Sequence, residues 1–190
     1  MLGHEGVNLV LGGRSRDKLE ALEKEITDSG GRALVVGTHL AKRHHLDHLM
    51  GAAVEAFGGL DFLLFMARAS APPLGSLDVD AFDRSVDVNV KGLLYAGAAA
   101  LPIMREGEGG RVVYLNAAPE TTDALYGMVQ AATRALLRDL VREFHGEGIR
   151  ASEVTLPDPH RTEAGQCAEA VRGALTASDS EAAGFSIHKV

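Results

Sequence analysis

Short apolar runs alternate with amphipathic stretches along the whole chain. Residues 7–11 are largely apolar, close on Gly12-Gly13, and predict a buried strand. From 15 to 28, Leu19, Leu22 and Ile26 recur at helical spacing, with Glu20 and Lys24 one turn apart. Ser15 is the expected N-cap and Gly30-Gly31 the stop. Residues 33–36 predict a second strand. Residues 41–57 predict a second helix, striped by Leu46, Met50, Ala53 and Phe57 and ended by Gly58-Gly59. A third strand over 61–65 leads into a Pro-containing loop over 71–76. Residues 79–105 read as one long helical stretch, broken or bent near Pro102. Then follow a strand over 111–115, a helix over 122–145, a strand over 149–155, a loop over 157–162, a helix over 163–177 and a last strand over 184–188. The strands are apolar without alternating. That pattern marks a mainly parallel sheet covered by helices on both faces, a doubly wound α/β fold. Neither a repeat nor a linker interrupts it, so residues 1–190 are expected to form a single domain.

Composition narrows the function. The chain has 190 residues, 46% of them apolar and 24% charged, which is ordinary for a globular domain. The formal net charge of −7 argues against general nucleic-acid binding, which needs a basic face. Aromatic residues make up 5% and Trp is absent, so a base-stacking platform is not expected. One cysteine, Cys167, allows no disulfide within the chain; this fits a cytoplasmic protein, and Cys167 reads as a packing residue. No run reaches the ~18 consecutive apolar residues of a membrane helix, and residues 1–8 lack a signal-peptide pattern. His44, His45 and His48 crowd one helix start. His44 and His48 have the spacing of two ligands, but neither an intervening Glu of the HExxH kind nor a third ligand is evident, so no metal is expected.

Several segments in order carry a family resemblance: 12–22 (GGRSRDKLEAL), 60–69 (LDFLLFMARA), 87–92 (DVNVKG), 110–118 (GRVVYLNAA), 126–132 (YGMVQAA) and 149–162. Together they resemble the short-chain dehydrogenase/reductase family. The resemblance implies a Rossmann-like fold and hydride transfer between NAD(P) and a small-molecule carbonyl or alcohol. It makes Tyr126 the acid/base and Asn89 the support of a water relay. It places Arg14 and Ser15 where NADP(H) presents its 2′-phosphate, and Ala67 on the cofactor side. It also implies a homo-oligomer built through helices 85–104 and 122–145, where small apolar residues cluster.

The departures from the family matter as much. Only six residues precede Val7, whereas the family's strand, Gly-rich loop and helix need roughly 30. That unit is expected to be missing, with 7–11 pairing to 61–65 instead; a misassigned start or a fragment is the alternative. The loop's role is physical, because its glycines let backbone approach a pyrophosphate at a helix N-terminus. The family's Lys position is Gln130 and its Ser position Ala117. An unperturbed Tyr ionises near pH 10, so bringing Tyr126 to neutrality requires ~3 units, or ~4 kcal/mol. A neutral amide is a poor source of that. Thr121 or Thr122 stands close enough in sequence to replace the Ser. Arg68 stands where the family has Gly, His39 where an Asp meets adenine, and Pro157-Asp158 where it has Pro-Gly. Three readings stay open: an oxidoreductase, a non-catalytic pseudoenzyme acting as a binding or oligomerisation module, and a cofactor-independent lyase or isomerase using Tyr126.

Overall fold

The computed structural model describes residues 2–66, 68–117, 124–156, 164–176 and 185–189. The elements follow the expected rhythm: β1 (Asn8–Gly13), α1 (Arg16–Asp28), β2 (Arg32–Gly37), α2 (Arg43–Phe57), β3 (Phe62–Phe65), α3 (Val79–Val86), a π-helical turn (Asp87–Lys91), α4 (Gly92–Glu106), β4 (Gly110–Ala117), α5 (Ala124–Glu143), β5 (Ile149–Leu156), α6 (Ala164–Thr176) and β6 (Phe185–Lys189). A 3₁₀ turn over Leu2–Glu5 precedes them. Gly30 and Gly58 take φ of +85° and +87°, which ends α1 and α2 as their positions predict. Ser15 is the N-cap of α1, though its side chain makes no cap hydrogen bond.

Two details differ from expectation. The ion pairs on α1 are Arg16–Glu20 and Lys24–Asp28, not Glu20–Lys24. The stretch over 79–105 does not break at Pro102. It is interrupted by the π turn at Asp87–Lys91, and α4 then runs through Pro102 to Glu106.

The strands form two parallel sheets, one of order β1-β2 and one of order β3-β4-β5-β6. The expected pairing of 7–11 with 61–65 is therefore incorrect. β1 pairs with β2 alone, Asn8 opposite Arg32 through Gly13 opposite Gly37, and β3 pairs with β4. Packing explains why β1 does not shift across. Gly12 sits so close to α2 that a Cβ there would lie 2.7 Å from Leu49 Cδ2 and 3.3 Å from Thr38 Oγ1. Gly13 lies against Leu19 of α1. The sheets are instead bridged by helices, since Leu49 and Leu40 pack against the buried cluster that contains Leu46, Met50, Phe65, Leu93, Leu101 and Leu137. A smaller cluster of Val113, Val154, Leu156 and Ala174 fills the opposite face beneath α6, with Cys167 packed on it as expected. Burial pushes the Cys167 thiol above its usual pKa, which suits packing rather than reactivity.

Candidate active-site region

In a parallel sheet covered by helices, ligands meet the C-terminal ends of the strands. Here Arg14 and Ser15 follow β1, Thr38 and His39 follow β2, Met66 and Arg68 follow β3, and Tyr126 opens α5 after β4. Tyr126 is buried, and so is Gln130 one turn further along α5. Tyr126 lies near Tyr114 of β4, whose phenol is pushed well above its ordinary pKa, first by burial and then by Tyr126 and Glu153.

Gln130 does not act alone. Its Nε2 donates to Asn116 Oδ1 at 2.9 Å, and Asn116 Nδ2 donates to Glu153 Oε1 at 2.9 Å. Glu153 is fully buried on β5 and receives both arms of Arg134, Nε to Oε2 and Nη2 to Oε1, each at 2.6 Å. Thr155 Oγ1 donates to the same carboxylate at 3.1 Å. Burial alone would raise the Glu153 carboxyl, but Arg134, Asn116 and Thr155 outweigh it and hold its pKa below the ordinary value. Gln130, Asn116, Glu153 and Arg134 thus form one chain of hydrogen bonds under the residue expected to act as acid/base. The first cation along α5, Arg134, is neutralised by a buried partner, and the amide at position 130 brings no charge. Glu153 and Asn116 did not stand out as site residues in the sequence. The available signal was a carboxylate inside a non-alternating apolar strand, which is rarely buried unless paired.

Asn89 sits in the π turn and is buried. Its Nδ2 donates to Ala69 O at 2.6 Å, Ser85 O at 2.8 Å and Ser85 Oγ at 3.1 Å, and its Oδ1 accepts from Ala69 N at 3.1 Å. Ser85 Oγ donates to Ala69 O as well, at 3.1 Å. The amide therefore binds the segment after β3 to the π turn through both of its ends.

Arg14 and Ser15, the residues expected on the cofactor side, are exposed. Gly12 and Gly13 lie inside β1 against Leu49 and Leu19, so they form no cradle for a pyrophosphate. No strand–glycine turn–helix unit stands between β1 and β3 among the described residues. The described residues thus offer no glycine cradle for the centre of a nicotinamide dinucleotide. Arg68 is exposed beside the end of β3, and Thr38 Oγ1 donates to Val36 O at 2.9 Å. His39 N donates to His45 Nδ1 at 3.4 Å, which accounts for one of the clustered histidines, while His44 and His48 face solvent. Ala67, residues 118–123 (with Thr121 and Thr122) and residues 157–163 (with Pro157 and Asp158) lie outside the described residues, and so does the side chain of Ala117. A shallow hollow on α1, lined by Ala21, Lys24, Glu25, Asp28 and Ser29, includes none of these groups.

Comparison with known proteins agrees with this fold. Residues 1–169 match the family described as short chain dehydrogenase. An uncharacterized oxidoreductase of Staphylococcus aureus is 30% identical over 160 residues, covering 82% of this chain and 68% of its own. One of Staphylococcus epidermidis is 26% identical over 159 residues, covering 81% and 68%. Among solved structures, a 3-ketoacyl-ACP reductase from Sinorhizobium meliloti superposes with a TM-score of 0.85 at 20% identity, over 100% of this chain and 89% of that one. A metagenomic short-chain oxidoreductase in complex with NADP gives 0.84 at 22% identity, over 99% and 88%.

Proposed function

The chain belongs to the short chain dehydrogenase family, and on that premise we propose that the described chain by itself is a non-catalytic binding and oligomerisation module on the reductase fold. The observation that carries this reading is the fate of position 130. A reductase of this kind needs a cation that draws the proton of Tyr126 toward release, and position 130 holds a neutral amide whose Nε2 donates to Asn116. Arg134, just over two turns beyond Tyr126, is held bidentately by Glu153. Asn89 bridges Ala69 and Ser85, which is a positioning task. The remaining asset is a pair of helices, α4 and α5, that present Leu94 and Met128 to solvent and serve in this reading as the surface for a second copy of the chain.

A second reading, an NADP(H)-dependent oxidoreductase acting on a small carbonyl or alcohol, is favoured by exposed Arg14 and Ser15 at the end of β1. Calorimetry separates the two. The module reading expects neither NADPH nor NADH to bind more tightly than about 100 μM, or roughly −5.5 kcal/mol. Tighter binding, with carbonyl reduction that disappears in Tyr126→Phe, would establish the oxidoreductase instead. Among the described residues no helix is long and apolar enough to cross a membrane.

A further inference from the structure

Histidine is concentrated at one place in the fold. The chain has eight, and three of them, His44, His45 and His48, stand in the first two turns of α2. The structure separates their tasks. His45 is half-buried, and its Nδ1 accepts from His39 N at 3.4 Å. His44 and His48 are exposed. The His44 ring stands 4.6 Å from that of His45, centroid to centroid. Neither His44 nor His48 makes a hydrogen bond or an ion pair among the described residues.

The helix fixes the distance between these two free imidazoles. Leu46, Met50 and Ala53 are buried on the opposite side of α2, which packs on α4 and β1. The helix is thus docked, and its outer side is a fixed platform. Residues four apart on such a helix lie one above the other, about 6 Å along the axis. Their Cβ atoms are about 5–6 Å apart. Two imidazoles at that spacing reach one ion in neighbouring positions of its coordination shell, as in helical zinc sites. The next turn leaves room beside them, because nothing lies within 4 Å of a Cβ built on Gly51.

The ligands that are missing decide what kind of site this is. Among the described residues no group of three or more His, Cys, Asp or Glu side chains could hold an ion. A structural zinc centre takes four protein ligands and a catalytic one three, so neither is formed. The intervening carboxylate, Asp47, pairs with Arg43 at 3.8 Å. Two nitrogen ligands with water in the other positions suit a tetragonal ion, Cu²⁺ before Ni²⁺. Mg²⁺ and Ca²⁺ require oxygen ligands and do not fit. Lys42 and the positive end of the helix dipole oppose any cation. They disfavour an ion held by charge alone, not one held by nitrogen lone pairs.

We propose that His44 and His48 form a two-imidazole chelate for a divalent transition-metal ion, Cu²⁺ in preference to Ni²⁺ or Zn²⁺, with water in the remaining positions. The ion is exchangeable, because the site is open to solvent and only two of its ligands come from the chain. The proposal does not depend on the catalytic question, since it uses no residue of the region around Tyr126.

Titration of the purified chain with CuCl₂ at neutral pH, in a non-chelating buffer, tests it. Electron paramagnetic resonance reads the ligands. One Cu²⁺ per chain is expected at micromolar concentration, with hyperfine coupling from two imidazole nitrogens. His44→Ala and His48→Ala should each weaken binding at least about tenfold and remove one nitrogen from the spectrum. His45→Ala should leave both nitrogens in place, and excess Mg²⁺ should not compete. Both ligands are exposed, so their variants are expected to fold, which circular dichroism verifies. Unchanged binding in the double variant His44→Ala with His48→Ala would seat the ion on another histidine and overturn the proposal. So would a loss in His45→Ala as large as in His44→Ala. Binding only at millimolar concentration would mean an adventitious ion only, and overturns it as well.

Discussion

At the scale of single residues, the chain from Gln130 to Arg134 decides what the region around Tyr126 can do. Its electrostatic centre is Glu153, fully buried yet held ionised by Arg134, Asn116 and Thr155. A carboxyl whose folded pKa lies below its unfolded value adds stability above the unfolded pKa, near 4.5, and loses it as pH falls through the folded value. Glu153→Gln removes that dependence and the charge-assisted bonds to Arg134. We expect it to cost about 1.5–3 kcal/mol at neutral pH, with a smaller loss of stability on acidification than the parent shows. Urea titrations at a series of pH values check both parts; an unchanged acid slope would place the relevant titration elsewhere. The spacing of Tyr126 and Gln130 made their one-turn relation legible in the sequence. The rest of the chain was not legible, because Asn116, Glu153 and Arg134 meet only when β4, β5 and α5 pack, and no local pattern records that. The one local trace is Glu153 itself, an acid in the middle of an apolar strand.

At the scale of elements, periodicity identified each strand and helix to within a few residues at the ends, but not what lies within the long stretch from Val79 to Glu106. The proline drew attention to 102, whereas the helix adapts there and changes pitch at Asp87–Lys91. A π turn inserts an extra residue, and such turns frequently sit at functional sites. Here it brings Asn89 within reach of Ser85 and Ala69, so that α3, the turn and the segment after β3 become one unit. Asn89→Ala would leave the Ala69 backbone groups and the Ser85 carbonyl without that partner. The expected cost is about 1–3 kcal/mol, with faster amide exchange and earlier proteolytic cleavage at Arg68. Destabilisation without any local change at 68–70 would mean that Asn89 supports the helix alone. Strand partnership was the other illegible feature. Two apolar runs pair equally well on composition, and the ladder from Asn8 to Gly13 along Arg32 to Gly37, with Gly12 and Gly13 packed against Leu49 and Leu19, forms only once the helices dock.

At the scale of the whole molecule, the net charge of −7 sets two copies against each other, so a self-association surface must be nearly uncharged. α4 meets that condition, since it carries no charged residue before Arg105. Its solvent side shows Leu94 at 38% exposure, with Ala98 exposed and Tyr95 half-buried; on α5, Met128 is 49% exposed, with Ala131 and Ala132 also exposed. Such small residues let two helices approach closely. A rival surface exists before α3, where Leu74, Leu77 and Val79 are each more than half exposed. It lies on short turns with little regular structure to present a flat face, which argues for α4 and α5. Leu94→Glu combined with Met128→Glu should weaken a homodimer by at least about tenfold, or ~1.4 kcal/mol, whereas Leu74→Glu combined with Leu77→Glu should leave it intact. Sedimentation equilibrium reads both, and raising the salt should strengthen association of the parent by screening its net charge. The reverse pattern would move the interface to the turn before α3, and a parent chain that stays monomeric would remove the oligomerisation half of the module reading.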